Sequence, residues 1–506
     1  MKTSLKRTLS MALCLLTVAG AVASCGDTAE AGKKETQDVA PTETEAVTEA
    51  WVDPFAEFDY QGAPIRIYTS TNNPGGVGNS NYMIEGPEEE TGDVVTDSAF
   101  IRNRAVEEIL NVDLQYTQVN LSYDKVAADV DKLIMAGDDV YDIIINDLFP
   151  LAERSIEGSF LNMADAPYID CSQKYWYDDY MQELSLDGEK RYLLAGDYFI
   201  DVLRCAHALY FNKDMLASYY DSADVLYEEV KNNTWTYDKL IEYVTDCYSD
   251  LNGNGEKDPD DQYGICMHAY WGPSIAFIIS ADLDFVTKNS DGSMTLAMNN
   301  ERSVKLLEKL NGIFYSNSSY VASKDGGNAA LEAQELCFNS GRCLILAYNR
   351  LGSFELLRDV GFEVGIVPYP KLDEQQDHYI TSSHDTAEVG VIPVTNQHFD
   401  MTCAALEVLN RETEKTVLPA YYETGLKVKY SRDDVSAQMI DMIHDNIGGA
   451  FPLAYSNICK HIFLKSSFHT PLYTNSTDFV SNYMKTETAA QTALDTIVAK
   501  FAALDH

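Results

Sequence analysis

Basic residues are scarce in this sequence: 37 Lys and Arg stand against 79 Asp and Glu, a formal net charge of −42 over 506 residues. A chain this acidic repels phosphate backbones and anionic headgroups, which excludes nucleic acid as a partner and attachment to a membrane through a basic patch. Apolar runs are short as well. After the N-terminus none reaches the ~18 residues of a membrane-spanning helix. No GxSxG, HExxH or Gly-rich phosphate loop occurs, so the short signatures of serine hydrolases, zinc proteases and P-loop ATPases are missing. No CxxC pair and no internal repeat is found, which removes redox motifs and solenoids. Only 4 Trp accompany 32 Tyr, so any aromatic platform built on Trp has few candidates.

What is present begins at the N-terminus. Lys2, Lys6 and Arg7 precede an apolar run near Leu9–Val22, the layout of an export signal. The run ends Val22-Ala23-Ser24-Cys25-Gly26, small residues directly ahead of a Cys, which resembles a bacterial lipobox. The expectation is a signal peptide over 1–24 and a lipid on Cys25; an ordinary signal cleaved near Ser24, or a short anchor helix, is the plainer alternative. Residues 26–50 contain no aromatic side chain and are crowded with Thr, Ala and Glu. Such a stretch cannot bury a core, and a disordered tether is expected over 25–57. The mature protein is therefore expected outside the cytoplasm, held to the cell membrane by lipid. Cys171, Cys205, Cys247, Cys266, Cys337, Cys343, Cys403 and Cys459 follow, without the spacing of a disulfide framework, and buried free thiols are expected.

Residues 250–264 read DLNGNGEKDPDDQYG. An EF-hand-type loop places oxygens at positions 1, 3, 5, 7, 9 and 12, with Gly at 6 for the turn. Asp250, Asn252 and Asn254 fill positions 1, 3 and 5; Gly255 falls at 6. Glu256 supplies its carbonyl at 7, Asp258 stands at 9 and Asp261 at 12. With no His or Cys in the run, the donor set suits Ca2+ rather than zinc. A plain Asx/Gly turn is the bland alternative. Sensors use such loops in pairs, and only one is found here, so the calcium is expected to be structural.

Pro64–Ser70 alternates like a strand, Ala99–Leu110 has helical period, and Val112–Val119 reads as a second strand. Lys125–Met135 is helical again, and Tyr141–Ile145 is an apolar run typical of a buried strand. The pattern restarts with a strand-like Leu203–Phe211, a helix after it that Asn212 and Asp214 could cap, an amphipathic helix over Ser303–Phe314, and strands at Cys343–Ala347, Glu363–Pro368 and Val389–Val394. Alternating strands and helices imply βαβ units, a largely parallel sheet and an α/β protein of two or more domains. In such sheets ligands bind beyond the carboxyl ends of strands.

Several segments in order carry a resemblance: LYFNKDMLASY (209–219), NTWTYDKLIEYVTD (233–246), the calcium loop running into QYGI (262–265), FNSGRCLILAY (338–348), EVGIVPYPKLDE (363–374), VGVIPVTN (389–396) and YYETGLKVKYSRDD (421–434). Together they resemble the extracellular solute-binding proteins of family 1, sugar-binding lipoproteins of ABC importers, over essentially all of residues 58–506. The resemblance implies a two-lobed α/β, periplasmic-binding-protein-like fold with hinge crossovers and a ligand cleft between the lobes. It implies crossings near Arg204–Phe211, Thr381–Val389 and Lys427–Ser431. Lobe one would hold 58–205 plus 390–428. Lobe two would hold 206–389 plus 429–506, with the calcium loop 250–261 outside the cleft, as relatives that bind oligosaccharides carry a comparable structural loop. The implied partners are an oligosaccharide or other small solute and the membrane permease subunits of an ABC importer; the expected state is a monomer.

Sugar sites pair aromatic platforms with planar polar groups. Trp271 with Tyr270 follows the expected strand at Tyr263–Met267 and is the stacking candidate; helix–sheet packing is the alternative for both. Loops after strands offer Thr69, Ser70, Asn146 and Asp147 from the first half of the chain, and Tyr348, Asn349, Ser383, His384 and Asp385 from the second. Helix capping or turn formation competes at each. Tyr455 in FPLAYSN is a further candidate. Two other classes compete with a non-enzymatic receptor. An exported glycoside hydrolase needs two carboxylates about 5–10 Å apart across a cleft, which sequence spacing cannot test. A calcium-dependent adhesion or assembly module would repeat its metal loop.

Overall fold

The computed structural model describes residues 53–71, 80–357, 360–422 and 434–504. Cys25 and its lipobox, Trp51 and the expected crossing near Lys427–Ser431 lie outside the described residues.

Thirteen strands are described: β1 (Ala63–Ser70), β2 (Val112–Val119), β3 (Ile143–Asp147), β4 (His207–Asn212), β5 (Tyr263–Met267), β6 (Val286–Lys288), β7 (Met294–Leu296), β8 (Ser319–Val321), β9 (Cys343–Arg350), β10 (Val364–Val367), β11 (Thr381–Ser382), β12 (Glu388–Val391) and β13 (Ile447–Gly448). They build two main sheets. The first runs β12-β3-β1-β2, parallel except for the antiparallel edge strand β12. The second runs β10-β4-β9-β5-β8 and is mixed: β10, β4 and β9 pair antiparallel, β9, β5 and β8 parallel. The small pairs β11-β13 and β6-β7 stand apart.

Local sequence explains most elements. All five residues of β3 are buried, the unbroken run of a strand covered on both faces. The helix Val94–Leu110 starts where Asp93 accepts a 2.9 Å hydrogen bond from the Thr96 amide and ends at Asn111 in the left-handed region. Asn212 caps the helix Lys213–Tyr220 as its position suggests, accepting from the Met215 amide at 2.9 Å. Leu203–Phe211 is not one strand, however. Asp201–Arg204 forms a helical turn carrying an i,i+3 ion pair of 2.8 Å, and β4 starts only at His207. The apolar run hides that break because both pieces are buried.

The expected tether ends early. Asp53 holds Arg411 through two hydrogen bonds of 2.9 Å, and Phe55 is buried with its ring 5.1 Å from Phe58. Phe55 and Phe58 supply the apolar anchor that residues 26–50 lack, so residues 53–57 join the folded unit.

The chain leaves the first sheet near Ile200, enters β4 at His207, and returns between β11 and β12. These two crossings lie side by side. Ser383 donates to the Val202 carbonyl at 2.9 Å, and the His384 amide donates to the Cys205 carbonyl at 3.1 Å. Glu388 and Val389 already pair with β3, so the return into the first sheet begins two residues before the expected position 390. The C-terminal segment touches both halves. The short helix Ala450–Tyr455 packs on Leu148–Ser155, while Gln491 in the last helix, Glu487–Ala502, accepts from the Leu296 amide of β7 at 2.9 Å.

Candidate functional site

A cavity of about 420 Å³ opens where the carboxyl ends of the two sheets meet the crossings. Its first wall comes from the β3 side: Phe149, just beyond the end of β3, and Tyr123, whose rings stand edge to face at 4.9 Å. Trp271, four residues past β5, lines the opposite side, with its ring 5.1 Å from His469. Asp385 and Thr386 of the returning crossing form the floor, and Ser456, Asn457, His461, Lys465 and His469 close the remaining side. Trp271, Tyr123 and Phe149 are each half-buried, so each keeps ring surface open. Aromatic faces converging with hydroxyl, amide and carboxylate groups suit a ligand that is apolar on its faces and rich in hydroxyls around its edge.

Of the residues expected here, Trp271 and Asp385 line the cavity. Tyr270 does not. It is buried, and its ring packs 5.4 Å from Phe314 and 5.9 Å from Tyr315, which makes it core. Tyr455 is also core: it is fully buried, and its hydroxyl donates to the Leu184 carbonyl at 2.6 Å. Ser383 is buried and spent on Val202, and Ser70 donates to the Leu121 carbonyl at 2.7 Å. Thr69 is buried at the end of β1, and Asn349 accepts a hydrogen bond from the Arg350 amide at 3.1 Å. Neither lines the cavity. Trp176 is buried as well, with its indole donating to Glu407 at 2.8 Å.

Asn146, Asp147, Tyr348 and His384 form a layer beneath the floor. Asn146 donates to the Tyr123 carbonyl at 3.1 Å and so places that aromatic wall. Tyr348 adopts φ +60, a conformation costly for a residue with a side chain. It is held there by tight packing: its ring stacks on His268 at 5.5 Å, and a Cβ on Gly272 would stand 1.9 Å from the ring. Arg350 donates to the Tyr348 hydroxyl at 2.7 Å, and His384 Nε2 lies 3.1 Å from it. His384 Nδ1 lies 2.8 Å from Asp385 Oδ1. Burial raises the Asp385 carboxyl, but His384 and Arg350 outweigh it and hold the group below the usual carboxylate range. Asp147 behaves oppositely: burial first, then the charges of Asp201 and Asp385, push it up to about 8. Its Oδ2 is enclosed and has no hydrogen-bond partner.

Sequence reasoning missed Tyr123, Phe149, Lys465 and the two cavity histidines. Phe149 lies two residues beyond Asp147 and was within reach of the strand-end rule. The residues of 456–469 carry no local signal; tertiary packing alone brings them to the cleft.

No residue of the loop Asp250–Asp261 lines this cavity. Asp250 accepts from the Gly253 and Gly255 amides at 2.6 and 3.0 Å, with both glycines at positive φ, as the turn requires. Asn252 and Asn254 accept from the amides two residues on, and both donate to Asp258, at 3.0 and 2.7 Å. Asp261 is fully buried and takes the Leu251 amide at 3.1 Å. Among the described residues Asp250, Asp258 and Asp261 do not bring three oxygens within 4.8 Å of one another. The amide groups of Asn252 and Asn254 sit on the Asp258 carboxylate, so an ion bound by Asp258 would displace them. The oxygen donor set itself fits a hard cation. Glu256 contributes only through its backbone and is exposed. A chemically different cluster, the buried thiols of Cys266, Cys337 and Cys343, has its sulfurs within 4.8 Å of one another. All eight described cysteines are free, and all but Cys171 are buried.

No protein-family model matches the chain, and no curated protein matches it in sequence. Solved structures do match. The galacto-N-biose-/lacto-N-biose I-binding protein of an ABC transporter from Bifidobacterium longum, in complex with lacto-N-biose, aligns with a TM-score of 0.54 at 11% identity, over 88% of this chain and 99% of that one. A cyclo/maltodextrin-binding protein complexed with maltotetraose aligns at 0.53 and 14% identity, over 88% and 99%. The cyclic α-maltosyl-1,6-maltose binding protein from Arthrobacter globiformis aligns at 0.52 and 14% identity, over 86% and 99%. The chain therefore has the two-lobed α/β fold of these three sugar-binding proteins, with its cavity at the meeting of the lobes.

Proposed function

We propose that this protein is a receptor that captures a carbohydrate between its lobes and passes it, unchanged, to the permease of an ABC importer. The observation that carries this reading is the cavity itself: Trp271 from one half of the fold lines it together with Tyr123 and Phe149 from the other and Asp385 of the returning crossing. Closure of the lobes on a sugar would be a ligand-driven population shift, the two adjacent crossings absorbing the rotation. The export-type N-terminus and Cys25 support a lipid-anchored protein outside the cytoplasm; replacing Cys25 with Ala should move the protein from the membrane fraction to the soluble one. The loop Asp250–Asp261 supports a structural Ca2+.

One observation favours a hydrolase. Asp147 and Asp385 are near neighbours whose carboxyls are pushed in opposite directions, the arrangement of an acid and a base. Asp147 Oδ2, however, is closed off from solvent, out of reach of a substrate in the cavity. The test is thermal melting of the full chain against an oligosaccharide panel, followed by recovery of the sugar. A ligand at about 100 times its Kd adds about 2.7 kcal/mol to native-state stability. A specific shift with intact sugar supports the receptor; cleaved sugar supports the hydrolase; no shift with any sugar sinks both.

A further inference from the structure

The charges around the cavity are unevenly matched. On the floor, Asp385 lies 2.8 Å from His384 and in the field of the Arg350 guanidinium, and its carboxyl is held below the usual carboxylate range. Asp147, below it, is enclosed and held in its protonated form at neutral pH. On the C-terminal side the situation is reversed. Lys465 is exposed at the cavity and forms no ion pair within 4.0 Å among the described residues. Next to it stand His461, held in the left-handed region at φ +59, and His469, whose Nδ1 is enclosed and has no hydrogen-bond partner. Burial first, then Lys465, holds both rings below the ordinary histidine range; Lys460 adds to this at His461. Three nitrogen-bearing side chains thus share one side of a cavity in a chain of net charge −42. An ammonium without an ion-pair partner, beside two imidazoles that burial keeps uncharged, makes this side of the cavity a set of hydrogen-bond donors around one positive charge, which suits a bound anion.

We propose that the ligand is an acidic oligosaccharide, one bearing a carboxylate or a sulfate, whose anionic group is received by Lys465 with His461 and His469 beside it. This rests on the carbohydrate-receptor reading above. It also fixes an orientation. The anionic end lies toward Lys465, and the hydroxyls at the other end donate to Asp385, whose carboxylate accepts hydrogen bonds but repels a second anion. The sugar rings between them lie against Trp271, Tyr123 and Phe149. Because Lys465 is exposed, its replacement spares the core.

The test is calorimetric titration of the full chain, and of Lys465→Gln, with three probes of matched length: an oligogalacturonate, a sulfated chondroitin oligosaccharide and neutral maltotetraose. A charge-assisted contact contributes about 1.5–3 kcal/mol, so an acidic probe should bind about 10–100-fold tighter than the neutral one. Lys465→Gln should remove most of that margin, bring the affinities for the acidic and neutral probes together, leave the melting temperature of the free protein unchanged, and abolish the fall in affinity with added salt. Tighter binding of the galacturonate assigns the carboxylate; tighter binding of the chondroitin probe assigns the sulfate. Binding of maltotetraose alone overturns this inference and leaves the receptor standing. Equal affinity of Lys465→Gln and wild type for the acidic probe also overturns it. Failure of every probe overturns both.

Discussion

Asp147 and Glu388 stand directly opposite each other across the antiparallel pairing of β3 and β12. Two like charges at facing positions destabilise a sheet. Here both carboxyls are buried, and each is raised, by burial first and then by neighbouring carboxylates, with Arg204 countering at Glu388. The pair is kept by holding protons rather than charge, and it joins the first sheet to the returning crossing.

A pH dependence follows from Asp147. Its ordinary value is 3.8 and its folded value about 8, so the folded state binds the proton more tightly. The stabilisation is full below the ordinary value and is lost as pH rises through the folded one. His444, raised to about 9 by Asp197 and Asp445 against its burial, leans the same way, so the variant must isolate the carboxyl. Asp147→Asn, an isostere of the protonated acid, should match wild type near pH 4 and melt several degrees higher near pH 8, the rise from 3.8 to about 8 being worth up to about 5 kcal/mol at alkaline pH. Melting curves that stay parallel across this range would remove the protonated pair.

Trp271→Ala should weaken sugar binding about tenfold while leaving the melting temperature of the free protein within a degree or two, since the ring is half-buried at the cavity. Tyr455→Phe is the contrasting variant. It deletes the hydrogen bond to Leu184 and should cost about 1 kcal/mol of stability without changing affinity. Titration of both variants with the same sugar separates the cavity wall from the core.

Gly272→Ala should damage both stability and binding. Its methyl group would stand 1.9 Å from the Tyr348 ring, and that ring cannot yield without disturbing Arg350 and His384. The expected cost is about 1–3 kcal/mol by overpacking. An unchanged melting temperature and affinity would show that Tyr348 moves freely.

Chelation of calcium should lower the melting temperature of the unliganded protein and leave the sugar-induced shift in place, because no residue of the loop lines the cavity. Asp261→Ala should reproduce the loss and make the protein insensitive to chelator. A sugar shift that vanishes on chelation would make the metal part of the binding site.

The sequence by itself determined the elements whose signals are local. The apolar run of β3, the strand at β1 and the Asn212 cap are short-range matters of burial and backbone hydrogen bonding, and so are the glycine turns at Gly253 and Gly255. The two lobes and the crossing near Thr381–Val389 came from the resemblance to a family, not from local pattern. Tertiary structure decided what each aromatic and polar residue is for. Trp271 and Tyr270 are adjacent in sequence, yet one lines the cavity and the other packs on Phe314, because consecutive residues at the head of a helix point in different directions. Ser383 and Asp385 divide likewise between a crossing hydrogen bond and the cavity floor. Lys465, His461 and His469 reach a site more than 70 residues away along the chain only because residues 450–469 pack across the junction of the lobes. Periodicity reports which residues are buried; the meeting of distant segments depends on how buried faces pair, and that is settled by the fold as a whole.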